Sequence, residues 1–202
     1  AASFCLSNFI LRSSFPIRFY RYPMRQSGEG CIPIGRSCER KEKMKCLVFS
    51  DSHRRGASGM ARVLDAHKDA EVVFFLGDGL SDLSDVRDGG RTFFTVAGNC
   101  DFFTDGTPEV GEVTLLGHKI VYTHGHRYGA KYGEEGLLSL ALSRGAQVLL
   151  YGHTHRQSER YESVGEGRTA LFNPGSIADG DFGILTLTER DVLFSCGHLR
   201  KE

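Results

Sequence analysis

Five short groups of residues in this chain carry side chains that bind divalent cations. They are Asp51-Ser52-His53, Gly77-Asp78, Gly98-Asn99-Cys100-Asp101, His124-Gly125-His126 and Gly152-His153-Thr154-His155. Carboxylate, imidazole and amide oxygen together suit borderline-hard ions such as Mn2+, Fe2+, Zn2+ or Ni2+, and no thiolate is needed. A two-metal hydrolase places one carboxylate between two ions about 3.5–4 Å apart, with other ligands on either side. Asp51, His53, Asp78, Asn99, His124, His153 and His155 give seven side chains, enough for two sites that share Asp78. The expected chemistry is hydrolysis by a metal-bridged hydroxide. The repeated D-x-H and H-x-H spacing is expected to reflect alternate positions on a strand or its extension, which point the same way. Ser52 and Thr154 should then point elsewhere, and the glycines at 77, 98, 125 and 152 should let the backbone crowd the ions.

Each group follows an apolar run: Lys45–Ser50, Glu71–Leu76, Thr92–Ala97, Lys119–Thr123 and Gln147–Tyr151. Buried strands of a parallel or mixed sheet read as continuous Val, Leu, Ile and Phe runs of this length. Ligands of such sheets gather outside the carboxyl ends of the strands. Five successive strand ends therefore converge on one crevice, although their residues are spread from position 51 to position 155. Between the strands, Met60, Val63, Leu64 and His67 recur at helical spacing within 57–69, and a short polar helix is expected near 80–87. Val113–Leu116 and Lys119–Thr123 read as a hairpin, with Gly117 first in a two-residue turn. Glu134–Arg144 reads as a helix stopped by Gly145. Thr169–Phe172, Gly183–Thr188 and Val192–Ser195 read as a closing meander. α/β alternation followed by antiparallel strands predicts an α/β protein of two packed mixed β-sheets with helices outside.

The 202 residues suffice for one domain with a full core. Six cysteines without a C-x-x-C pair suggest no disulfide framework and point to a reducing, cytoplasmic setting. No apolar run is long enough to span a membrane. Residues 1–43 hold eight Lys/Arg against three Glu, which leaves 17 basic and 22 acidic residues in 44–202. An acidic body is a poor sequence-independent nucleic-acid binder, so nucleic acid is expected only as a substrate. Residues 1–43 also lack any sustained period and carry Pro16, Pro23 and Pro33, whereas Met44 opens a clean strand. They are expected to be an unstructured or non-native leader, such as a translated upstream segment. An Arg- and Ser-rich transit peptide is the next reading, and a functional arm the last. The expected domain is 44–202.

D-S-H, G-D, G-N-C-D, H-G-H and G-H-T-H, in that order, resemble the calcineurin-like metallophosphoesterase superfamily. The close spacing and Asn173-Pro174-Gly175-Ser176 point to its small bacterial and archaeal phosphodiesterase branch. The resemblance covers 44 to about 195 and implies a four-layer α/β/β/α fold. It implies two divalent ions, manganese first, with nickel, iron or zinc as alternatives. One would be held by Asp51, His53, Asp78 and His155, the other by Asp78, Asn99, His124 and His153. It also implies cleavage of a small phosphodiester substrate, with His124 and Asn99 neutralising developing charge and Asp101 orienting its neighbours. In the protein and monoester phosphatases of the superfamily, a histidine follows the Asn and helps protonate the leaving group. Here that residue is Cys100. His126 is the nearest spare imidazole for the acid or a phosphate contact.

Two rival functions stay open: a phosphomonoesterase of the same fold, and a non-catalytic scaffold. The second is kept because one eukaryotic relative of the branch resembles the enzymes yet binds proteins in a membrane-trafficking coat. Self-association into a homo-oligomer is left open. His67, His118 and His198 are read as structural, on a helix face, a hairpin turn and a frayed tail. Cys46 and Cys196 are read as core. Arg54, Arg55 and Arg127 flank the strand ends and could steer phosphate, and the Asn173–Ser176 segment either lines the crevice or is only a turn.

Overall fold

The structure is a computed structural model that describes residues 43–102, 106–164 and 167–200. The expected leader lies outside the described residues except for Lys43, which already belongs to the first strand. The strands are β1 (Lys43–Phe49), β2 (Val72–Phe75), β3 (Thr92–Thr95), β4 (Val110–Leu115), β5 (His118–Thr123), β6 (Val148–Leu150), β7 (Gln157–Val164), β8 (Gly167–Pro174), β9 (Asp181–Thr188) and β10 (Val192–His198). Two α-helices, α1 (Ala57–Ala66) and α2 (Glu135–Ser143), accompany them. One five-stranded sheet runs β10-β9-β1-β2-β3, and the other runs β4-β5-β6-β8-β7. Both are mixed: β1, β2 and β3 are parallel, as are β5, β6 and β8, and the remaining pairs are antiparallel.

Strand pleating explains why the central runs are apolar without a break. In β1, Cys46 and Val48 enter the core between the sheets, while Leu47 and Phe49 enter the core under α1. β2 repeats this, with Val72 and Phe74 on the inner face and Val73 and Phe75 on the outer. In the second sheet Ile120, Tyr122, Val148 and Leu150 face the first sheet, and Val121 and Leu149 pack on α2. Alternate side chains point to opposite faces, so a strand covered on both sides needs apolar residues at every position. Burying each large one contributes about 1.5–3 kcal/mol. Met60, Val63 and Leu64 give α1 its buried stripe, and Leu137, Leu140 and Ala141 do so for α2. The result is four layers, helix on sheet on sheet on helix.

Several expectations need correction. α1 stops at Ala66, and a 3₁₀ turn at Leu80–Asp85 replaces the polar helix. The hairpin register is shifted by one: Leu115 pairs with His118, and the turn is Leu116-Gly117 with φ of 46° and 86°. Positive φ at both positions is a type I′ turn, whose twist matches the strands; Gly117 therefore comes second and Leu116 takes the strained position. The closing strands are no single meander, because β8 lies beside β6 in one sheet while β9 lies between β10 and β1 in the other. His118 is in a strand, and its Nε2 lies 2.8 Å from the Thr188 carbonyl oxygen of the opposite sheet. His198 ends β10 with Nδ1 2.7 Å from Asp181 Oδ1. Cys46 is buried as expected, but Cys196 is exposed on the edge strand β10.

Candidate metal centre

Parallel neighbours end on the same side, so the loops after β1, β2 and β3 leave one sheet together, and those after β5 and β6 leave the other. Backbone bonds then lock these loops. Asp51 N–H donates to Gly77 O (3.0 Å), His53 N–H to Asp78 O (2.9 Å) and Gly152 N–H to His124 O (3.1 Å). His153 N–H donates to Asp51 Oδ2 at 3.0 Å and ties the two sheets' loops together.

All seven sequence-predicted side chains meet here. Ligand-type atoms of Asp51, His53 and His155 form one cluster, and those of Asp78, His124 and His153 another. His53 Nε2 and His155 Nε2 are 3.1 Å apart, and His155 Nε2 is 3.2 Å from Asp51 Oδ1. In the second cluster His124 Nε2 lies 3.2 Å from Asn99 Oδ1, 3.2 Å from His153 Nδ1 and 3.3 Å from Asp78 Oδ2. Asp78 also groups with His53 and Cys100, which places its carboxylate between the two clusters.

These contacts ask for cations. His124 Nδ1 lies 2.8 Å from the Leu76 carbonyl oxygen, which only an N–H can satisfy, so in the neutral ring Nε2 carries the lone pair. That lone pair faces an amide oxygen, a carboxylate and another imidazole. Asp51 Oδ1 is buried and, despite its neighbours, makes no hydrogen bond of its own. Acceptors packed this closely repel one another unless a proton or a metal cation sits among them. The donor set of carboxylate, imidazole and amide fits a borderline-hard divalent ion at each cluster.

The expectation of ligands alternating along a strand is wrong. β1 ends at Phe49 and β6 at Leu150, and the residues beyond them are not extended. Asp51, His53, Asp78, His153 and His155 have φ of 57°, 46°, 58°, 69° and 59°. Left-handed residues in these turns fold the backbone into tight arcs and turn both side chains of each D-x-H or H-x-H inward. Ser52 and Thr154 do point elsewhere, to Gly79 O and to Arg156 N–H and Asn173 Nδ2. Two glycines leave room for the arcs. A Cβ at Gly98 would collide with Asp78 Oδ1, and one at Gly152 with Ser50 Oγ and, at 2.9 Å, with Asp51 Oδ2.

Burial opposes ionisation of Asp51 and Asp78, yet both carboxyls are held below the usual range. His155 and His124 do this for Asp51; His124 and the Cys100 N–H do it for Asp78. Burial likewise opposes charge on His124, but the Asp78 and Asp51 carboxylates raise its basicity. His155 is raised, first by its contact with Asp51. His153 is lowered to about 4 by burial, with the charges of His124 and Lys131 adding.

The loops are braced from behind. The Asp101 carboxylate accepts four backbone N–H groups: Asp78 at 2.7 Å, Gly79 at 2.8 Å, and Leu80 and Gly98 at 2.9 Å. Asn173 Nδ2 donates to Gly152 O and to Thr154 Oγ1, both at 3.0 Å, and Ser176 Oγ donates to Asp51 O at 3.0 Å. The Asn173–Ser176 segment therefore holds the loops of both clusters, a role its turn-like sequence does not reveal. His126 stands outside the clusters, with its ring 5.4 Å from that of His124 and Nδ1 buried without a partner. The Cys100 thiol is exposed, and partial desolvation, then the nearby Asp78 carboxylate, pushes it up to about 11. Arg127 is bound to Glu109 at 2.6 Å, and Arg54 and Arg55 are exposed.

The description "Calcineurin-like phosphoesterase superfamily domain" matches residues 44–190. The probable metallophosphoesterase YsnB of Bacillus subtilis (strain 168) is 33% identical over 134 residues, covering 66% of this chain and 75% of that protein. A predicted phosphoesterase from Streptococcus pneumoniae TIGR4 has a similar structure, with a TM-score of 0.58, 28% identity, and coverage of 75% of this chain and 88% of that one. Wild-type Vps29 of Entamoeba histolytica, solved in complex with Zn2+, superposes with a TM-score of 0.57 at 22% identity, over 77% of this chain and 98% of that one.

Proposed function

The chain belongs to the calcineurin-like phosphoesterase superfamily, and from that premise we propose that it is a dinuclear-metal-dependent phosphodiesterase. The observation that carries this reading is the convergence of seven ligand-type side chains at contacts of 3.1–3.3 Å. Asp51, His53 and His155 would hold one divalent ion and Asn99, His124 and His153 the other, with Asp78 between them. When bound, such a pair supplies Lewis acidity and, by acidifying water, a nucleophile at neutral pH. Manganese is the expected pair, with nickel, iron or zinc as alternatives.

The chain's own residues then do the rest. Asp51 and Asp78 fix the charge of the centre, and Asp101, Asn173 and Ser176 fix its geometry. Asn99 and His124 would help neutralise the charge that grows on the phosphoryl oxygens. Hydrolysis joins water oxygen to phosphorus and breaks one ester P–O bond, and a proton ends on the departing alcohol. His126, with its ring 5.4 Å from that of His124, would supply that proton or contact phosphate. Cys100 stands where monoesterases keep a histidine, which favours diesters whose leaving groups depart without help.

The test is hydrolysis of bis-p-nitrophenyl phosphate and p-nitrophenyl phosphate by manganese-loaded protein. The diester is expected to be cleaved much faster, and chelation to stop both reactions. Preference for the monoester would mark the alternative phosphomonoesterase. The scaffold reading rests on the likeness to Vps29. Since that protein is itself solved with Zn2+, metal binding does not separate the two readings; absence of turnover with every metal would select the scaffold. Residues 44–202 are the proposed catalytic unit, supported by the family match over 44–190 and a strand that opens at Lys43; a chain starting at Met44 is expected to keep full turnover. A cytoplasmic setting fits the free thiols of Cys46, Cys100 and Cys196, and cell fractionation tests it. Among the described residues no helix is long and apolar enough to cross a membrane.

A further inference from the structure

A cavity of about 480 Å³ adjoins the loop that carries His153 and His155, lined by Lys131, Glu134, Tyr151, Thr154, Arg156 and Ser158 among others. Thr154 lies between His153 and His155 in the chain and turns its side chain away from them, so the cavity and the clusters share this loop. Its polar wall is already satisfied. The Tyr151 hydroxyl contacts Glu134 and lies 2.7 Å from Ser158 Oγ, and Arg160 Nη1 lies 3.2 Å from Glu134 Oε2. Thr154 Oγ1 is taken by Asn173 Nδ2 and the Arg156 N–H. What stays uncompensated are two cations. Among the described residues, neither the Lys131 nor the Arg156 side chain has an ion-pair partner, and both are exposed at the cavity.

We propose that this cavity seats a second phosphate, so that the enzyme's substrates are phosphodiesters carrying a further phosphate monoester on one arm. The proposal rests on the phosphodiesterase reading and names its substrate class. A phosphate dianion matches the pair of free cations, one a point charge and the other a planar fork. Among the described lining residues the one carboxylate, Glu134, already holds Arg160 and the Tyr151 hydroxyl, so it repels an anion little. A nucleobase is not favoured as the occupant. Tyr151 is 2% exposed and offers no ring face for stacking. The volume lies within the range of small-ligand sites and leaves room for a sugar or short polyol between the two phosphates.

Calorimetry on the manganese-loaded full chain tests this, with thymidine 3′,5′-bisphosphate compared against thymidine 5′-monophosphate. The bisphosphate is expected to bind about tenfold tighter, as two partly exposed charge contacts together allow. Lys131→Met and Arg156→Met should each reduce that ratio and the double variant abolish it, while Lys131→Arg with Arg156→Lys should keep it. Equal affinity in the wild type, or a ratio that survives in the double variant, overturns the proposal. The kinetic arm compares thymidine 5′-(p-nitrophenyl phosphate) with the same ester bearing a 3′-phosphate, and the 3′-phosphate should lower KM. If neither ester is hydrolysed but the binding ratio holds, the diesterase reading fails and the cavity assignment stands. If both are hydrolysed alike and the nucleotides bind alike, the cavity assignment falls alone.

Discussion

Replacing Asp101 should loosen the metal centre without removing any ligand. Its two oxygens accept four backbone N–H groups at 2.7–2.9 Å, two each: Oδ1 from Gly79 and Leu80, Oδ2 from Asp78 and Gly98. In Asp101→Asn one oxygen becomes an NH2 group that faces two N–H donors, so two bonds are lost. Hydrogen bonds to charged groups contribute about 1.5–3 kcal/mol each, and at this half-buried place the lower figure applies, giving about 3 kcal/mol. Asp101→Ala strands all four donors, and water reaching the site limits the loss to about 4–6 kcal/mol. In a domain of this size 1 kcal/mol moves Tm by about 2–4 °C, so Asp101→Asn should melt about 6–12 °C lower, and Asp101→Ala lower still. Thermal unfolding followed by circular dichroism reads this, and manganese titration should show weaker binding because Asp78 and Asn99 ride on the loosened loops. A Tm within about 2 °C of wild type for Asp101→Asn would refute the reasoning, since two lost charge-assisted bonds cannot cost so little.

Metal analysis after dialysis against manganese should find two ions per wild-type chain, fewer than one in Asp78→Ala and about one in His155→Ala, because Asp78 is the proposed shared ligand; equal losses in the two variants contradict a shared carboxylate. Gly152→Ala pushes a methyl group into Ser50 and Asp51, and should cost about 1–3 kcal/mol in denaturant unfolding as well as weaken manganese binding. Cys100→His should raise the monoester-to-diester rate ratio with aryl phosphates by restoring an acid; an unchanged ratio moves attention to His126.

The central strands and the site side chains were legible because one cause produced both signals. A strand buried on two faces must be apolar throughout, as with Leu47, Val48 and Phe49, and where it leaves the core the first polar residues are those at the crevice. β7 was missed because it is an edge strand with the polar sequence Gln157-Ser158-Glu159-Arg160, and an edge strand need not show the buried pattern. Sheet membership of β8 and β9 was hidden because no local residue says which partner a strand takes. The left-handed backbone at Asp51 and His53 was hidden too, since such conformations are usually read from glycine or asparagine. The bracing by Asn173 and the cavity walls draw on residues from different elements, whose meeting depends on the finished fold.

The left-handed ligands also bear on how such a site could be lost. Side chains other than glycine pay roughly 1–2 kcal/mol for that conformation, with Asp and Asn less penalised. At Asp51, His53, Asp78, His153 and His155 the fold therefore holds residues that glycine would relieve. Selection for catalysis must keep opposing that relief, because stability gained at an active site commonly comes at the expense of function. In a lineage that no longer needed the chemistry, the opposition would end, and drift at these five positions would run toward glycine and asparagine. Decay of the centre would then leave a more stable protein than the enzyme it came from.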